Sequence, residues 1–163
     1  MNILLLNRVW FLLTFSLLTA SFTSSWAKSE TPSTSLNPLV KALIPIYEHL
    51  HQNPELSFHE EKTGAFFASE LVKAGFEVTP NFGGFGVVGV LKNGRGATVL
   101  LRTELDALPI NEATGVHYAS KEKVKTPDGT EVGVMHACGH DIHMSCWVGT
   151  ARVLVGLKDK WQG

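Results

Sequence analysis

Residues 136–157, HACGHDIHMSCWVGTARVLVGL, decide how this chain is read. Residues 136–143 hold three His, one Cys and one Asp, the usual ligands of a borderline transition metal such as zinc. Cys138 and His140 are two apart; on a helix they would point about 200° away from each other and could not share an ion. In a turn, with Gly139 relaxing the backbone, thiolate and imidazole can converge. The residues that follow have a helical pattern, with Asp141 as the expected N-cap and an end near Leu157. A metal loop entering a helix is a sound support for a rigid site. A plain core cysteine with incidental polar neighbours is the competing reading, but it leaves three imidazoles each needing a partner. A closed structural zinc site is disfavoured, because no second Cys or His pair stands at finger-like spacing.

Upstream, Arg102-Thr-Glu104-Leu-Asp106-Ala-Leu-Pro109 closes an expected strand over 97–102. The ends of strands are where open α/β sheets place their sites. Glu104 and Asp106 alternate by two and can face one side, so a carboxylate here could fix the tautomer of a ligating His. An ordinary pair of charges at a strand end is the alternative. Helices are expected over 38–52 and 58–74. The first has Leu39, Leu43, Ile46 and Leu50 at helical spacing, with Pro45 calling for a kink or interruption; the second has Phe66, Phe67, Leu71 and Val72, with Gly75 as its stop. Further strands are expected over 76–79 and 87–92, with Asn93-Gly94 as a hairpin turn leading into 97–102. Residues 111–133 read as polar and turn-rich. Helices alternating with strands give an α/β layered fold.

Composition narrows the function. Hydrophobic residues make up 44% of the chain and charged residues 18%, at a net charge of −1. That describes a globular protein and gives no basic stripe for nucleic acid. Before Lys28 the only charged side chain is Arg8, followed by an apolar stretch from Val9 to about Ala20 and then Ser25-Trp26-Ala27. This is the pattern of a secretory signal peptide over 1–27, cut after Ala27. It predicts export to the periplasm or beyond and no lasting membrane anchor, since the apolar run is short for a span of ~20 residues. Residues 28–37 read as a linker. Cys138 and Cys146 are eight apart, about 12 Å along a helix, which is too far for a disulfide that needs ~7 Å. The string Gly84-x-Gly86-x-x-Gly89 matches a dinucleotide fingerprint, but it runs into a strand and not a helix. His59-Glu60-Glu61-Lys62-Thr63 lacks the second His of the zinc-protease motif, and His49, His51 and His117 read as surface or structural positions.

HACGHDIH at 136–143, LRTELDALPINEATGVHYAS at 101–120 and LHQNPELSFHEEKT at 50–63 together resemble the metal-dependent amidohydrolases and carboxypeptidases, such as hippurate hydrolase, N-acyl-amino-acid hydrolases and indole-acetyl-amino-acid hydrolases. The resemblance runs from about Leu39 to Leu157. It implies an aminopeptidase-like catalytic domain over 38–163, with a central mixed sheet flanked by helices. It also implies two divalent ions, zinc or manganese, and a homodimer in the complete enzyme. Cys138 and His140 match metal ligands, Cys138 as the bridging one, and Asp106 matches the orienting carboxylate. Glu104-Leu105 stands where typical members have Asp-Met, which leaves the role of Glu104 open. The family's catalytic Glu, its later ligands and its lid or dimerisation domain have no counterpart in these 163 residues. The expectation is therefore the front part of an enzyme that hydrolyses N-acyl or aminoacyl amino acids or short peptides. The alternative is a truncated, inactive metal-binding protein.

Overall fold

A computed structural model of the chain describes residues 33–163. The expected signal segment over 1–27 lies outside the described residues, and no described helix is long and apolar enough to cross a membrane.

The first helix, α1, runs Ser33–Gln52 with Pro38 and Pro45 inside it. It begins ahead of the expected start, so residues 33–37 are helical and not linker. Pro45 does not interrupt it. The proline lies exposed while Leu43, Ile46 and Leu50 face the core, and burial of that apolar face sustains the helix despite the lost backbone bond.

The second helix, α2, runs Glu61–Lys73. It starts later than expected because Phe58 has φ +65° and sits in a turn, a conformation no helix accommodates. Phe67 and Leu71 are buried as read from sequence, whereas Val72 is exposed. The helix ends in a Schellman arrangement, with Phe76 N–H donating to Leu71 O and Gly75 N–H to Val72 O, both at 3.0 Å. Gly64 brings α2 against the hairpin that follows: a Cβ there would meet the Phe85 carbonyl oxygen at 2.4 Å.

That hairpin pairs β1, Glu77–Phe82, antiparallel with β2, Gly86–Val90. Its turn is at 83–85 and not at Asn93-Gly94. Asn93 instead exchanges backbone bonds with Gly163 at 2.7 and 3.0 Å, and its side-chain amide donates to Lys158 O and Trp161 O. Residues 97–102, the expected third strand, pair with no strand among the described residues, and Val99 and Leu100 are 87% and 88% exposed. Alternation and β-branching predict an extended strand, but they do not supply the neighbour it hydrogen-bonds to. A second hairpin joins β3, Lys123–Lys125, to β4, Glu131–Gly133.

The last long helix, α3, runs His140–Gly156, and a 3-10 turn follows at Lys158–Lys160. The core gathers Leu50 of α1, Phe67 of α2, and Met144 and Val148 of α3, with Leu105 and Trp147 packed against it. Two isolated bridges complete the arrangement: Leu56 pairs in parallel with Ala107, and Leu108 antiparallel with Met135. They set residues 56, 107 and 135 side by side, so Ser57, Asp106 and His136 are carried to one edge. The α/β character is as the sequence implies, with the regular strands of the described residues confined to two hairpins.

Candidate metal centre

The site starts at a backbone feature. Gly139 has φ +74°, the left-handed region glycine enters at little cost, and this turns the chain from the 136–139 loop into α3. Gly139 and not Asp141 is the N-cap, and no side chain caps the helix. Asp141 is instead the second residue of the helix and points inward, 2% exposed. It was misplaced because an Asp ahead of an apolar run signals a cap equally well whether it caps or turns inward.

His140 opens α3. Its Nδ1 lies 2.8 Å from Asp106 O and 3.1 Å from Asp106 Oδ1. Two oxygen acceptors on one nitrogen assign the proton to Nδ1 and leave Nε2 as the coordinating atom. Asp106 is itself held: Ser57 Oγ–H donates to its Oδ2 at 2.5 Å. That hydrogen bond is the main reason the Asp106 carboxyl sits below the usual carboxylate range; partial burial opposes it, and His140 adds to it.

One group of potential ligands assembles among the described residues. Donor atoms of Glu104, His140 and His143 all lie within 4.8 Å of one another. His140 and His143 are three apart in the first turn of α3 and so share a face, with ring centroids 5.8 Å apart. His143 Nδ1 is 3.9 Å from Glu104 Oε2, and both side chains are partly exposed. Donors around a tetrahedral ion at ~2.1 Å stand roughly 3.4 Å apart, so small rotations of these two side chains close the set. One carboxylate and two imidazoles suit zinc or manganese. Three protein ligands with a position left open is the pattern of catalytic rather than structural sites.

Of the residues singled out from sequence, the structure joins Asp106 and His140 directly. It adds Glu104, whose role the sequence left open, and His143, which was legible in the i, i+3 spacing that starts at His140. Cys138 is exposed in the turn before α3, two residues ahead of His140, and is not a member of the three-residue group. Cys146 is likewise free and exposed, so no disulfide joins them. His136 is 4% exposed, and neither ring nitrogen has a partner among the described residues. Burial lowers its pKa below the imidazole value and keeps the ring neutral. Of the three histidines read as surface or structural, His49 is exposed and His117 is 81% exposed at its side chain, whereas His51 is the structural one, buried and hydrogen-bonded to Asp141. The glycine string enters β2, as its strand context implied.

A pocket of about 330 Å³ opens beside the group, bounded by Ser57, Phe82, Phe85, Arg102, Glu104 and Asp106. A larger cleft of about 570 Å³, between Asn93 and the 158–162 segment, contains none of the potential ligands.

A carboxylate-oriented histidine at a helix start, grouped with a glutamate that lines an open pocket, places the chain among metal-site α/β domains. Residues 100–163 match the family described as Peptidase family M20/M25/M40. The chain is 40% identical to N-acetyl-L-cysteine deacetylase of Bacillus subtilis, covering 83% of this chain and 31% of that protein. It is 42% identical to thermostable carboxypeptidase 2 of Saccharolobus solfataricus (74% and 29%). It is 41% identical to hippurate hydrolase of Campylobacter jejuni (67% and 26%). Among solved structures, a Bacillus subtilis dinuclear metal-binding peptidase of the M20 family superposes with a TM-score of 0.63 at 33% identity, over 72% of this chain and 31% of that one. Residues 100–163 thus match the M20 peptidase family, and the chain spans under a third of the length of these relatives.

Proposed function

We propose that these residues form the front portion of an M20 amidohydrolase that cleaves the amide bond of N-acyl or aminoacyl amino acids or short peptides with the help of two divalent ions, zinc or manganese. The observation that carries this reading is the convergence of Glu104, His140 and His143 beside Asp106. Deacetylase, carboxypeptidase and hippurate hydrolase relatives support the substrate class. A bound divalent ion supplies Lewis-acid polarisation of a scissile carbonyl and acidifies a water.

The chain's own residues do the orienting. Asp106 holds the His140 ring with Nε2 outward, and Ser57 fixes the Asp106 carboxylate by its hydroxyl. Glu104, from the extended segment before Asp106, and His143, from α3, close the set. Cys138, two residues before His140, matches the ligand that bridges the two ions in the family it resembles. The family's general base has no counterpart among these 163 residues, and export through residues 1–27 and a homodimer are proposed as features of the whole protein.

The test is twofold. The 163-residue chain should take up zinc, read by calorimetry, without hydrolysing N-benzoylglycine. A longer product that includes downstream sequence should hydrolyse it and stop when treated with chelator. Turnover that persists after exhaustive metal removal would end this reading. Zinc uptake without turnover in every longer product would favour the inactive metal-binding protein instead.

A further inference from the structure

His51, Glu112 and Asp141 meet in the interior, each from a different part of the chain. His51 closes α1, Glu112 lies in the loop after Pro109, and Asp141 is in the first turn of α3. His51 Nδ1 is 2.6 Å from Asp141 Oδ2, and His51 Nε2 is 3.0 Å from Glu112 Oε1. The His51, Glu112 and Asp141 side chains are 7%, 1% and 2% exposed.

Carboxylate oxygens only accept, so both ring nitrogens donate and the ring is an imidazolium between two anions. Burial opposes that charge, but the bonds to Glu112 and Asp141 outweigh it and raise the His51 pKa above the ordinary imidazole value. The remaining acceptor positions are also used. Glu112 takes the Ser120 N–H at 2.6 Å and the Thr114 hydroxyl, and Asp141 Oδ1 takes the Ile142 N–H at 2.8 Å. Tyr47 and Tyr118 flank the His51 ring, at centroid distances of 5.7 and 5.2 Å, and screen it from water. Buried networks satisfied at every member are rigid.

Their place in the fold gives the rigidity a use. The start of α3 has a glycine N-cap with a left-handed φ and no capping side chain. The same turn carries His140 and His143. Asp141, between them, is the side chain that ties this turn to α1 and to the 112–120 loop.

We propose that His51, Glu112 and Asp141 are positioning residues for the metal centre: an interior clamp that holds the first turn of α3 in the orientation at which His140 and His143 face Glu104. This rests on the metal-site reading of that group. None of the three would touch metal or substrate.

The test compares the wild-type chain with His51→Gln, Glu112→Gln and a control, Glu70→Gln. The control breaks the Glu70 pairing with Arg152 and Lys73 elsewhere on the molecule. Zinc affinity is read by competition with a chromophoric chelator, and the ring nitrogens of His51 and His140 by 15N chemical shifts. The wild type should show both His51 nitrogens protonated at neutral pH and His140 protonated at Nδ1. His51→Gln should lose about 10–100-fold in zinc affinity, the usual cost of removing an outer support of a ligand, and His140 should lose its single tautomer. Glu112→Gln, which keeps an acceptor but not the charge, should fall between. Glu70→Gln should lower the melting temperature and leave zinc affinity unchanged, a separation that a purely structural role for His51 would not produce. A folded His51→Gln or Glu112→Gln with wild-type affinity and an unchanged His140 tautomer overturns the proposal, and so does a neutral His51. If the wild type binds no zinc, the metal-site reading fails, and the His140 tautomer still decides whether the clamp orients that ring.

Discussion

Asp106 is the residue whose replacement best exposes how the centre is held. It offers His140 two acceptors, the backbone oxygen at 2.8 Å and the carboxylate Oδ1 at 3.1 Å. Replacing Asp106 by Asn keeps the first and removes the charge from the second. A hydrogen bond to a charged group contributes about 1.5–3 kcal/mol. Asp106 and His140 are 27% and 20% exposed, which puts this one toward the lower end of that range. About 1.4 kcal/mol is a factor of ten in binding, so Asp106→Asn should weaken zinc about tenfold. Asp106→Ala also leaves the Ser57 hydroxyl without its acceptor and frees the ring, so it should approach a hundredfold, the upper range for such supports. Chelator competition at neutral pH, on protein shown by circular dichroism to be folded, reads both. Wild-type affinity in folded Asp106→Ala would mean that the carboxylate does not orient the ligand and that the Asp106 backbone oxygen alone holds the His140 ring.

Further outcomes are expected. The His51 contribution to stability is complete below the ordinary imidazole pKa of 6.5 and is lost as pH rises through its raised value; that of neutral His136 is present above 6.5 and is lost as pH falls through its lowered value. Urea unfolding of the metal-free chain should therefore show a stability maximum near pH 6.5, with the alkaline decline absent in His51→Gln; a decline unchanged by that substitution would contradict the assignment. Gly64→Ala, with its new Cβ against the Phe85 carbonyl, should cost about 1–3 kcal/mol by thermal melting, whereas a neutral effect would mean that α2 and the hairpin are not in close contact. Leu100→Glu, at a position 88% exposed, should reduce self-association seen by sedimentation velocity, because it places a charge on an unpaired apolar edge. Cys138→Ser, which removes the ligand that the family resemblance assigns to both ions, should weaken uptake of both by calorimetry, and wild-type uptake would remove Cys138 from the centre.

The sequence made the site more legible than the fold. HACGHDIH gave away its chemistry because ligand residue types at close spacing have few other uses, and Asp106 followed from its place after an apolar run. Two things stayed hidden for physical reasons. Glu104 and His143 join His140 through the turn at the left-handed Gly139 and the first turn of α3, and a single sequence does not show that torsion. The sequence does not separate a structural His51 from a surface one, because its partners are 90 and 61 residues away; only tertiary packing brings buried carboxylates to both sides of a ring. The helices were readable from their apolar spacing, apart from the start of α2, where Phe58 takes a turn conformation. Residues 97–102 have the composition of a strand, but pairing depends on a neighbour that local pattern does not encode.

The central claim is that His140 and His143, with Glu104, bind one metal ion. Zinc-edge X-ray absorption on the loaded 163-residue chain tests it most directly. The account predicts a nitrogen and oxygen shell with outer scattering from two imidazoles, halved in His143→Ala and lost with the metal in His140→Ala. A spectrum without imidazole scattering, or one unchanged by both substitutions, would contradict it.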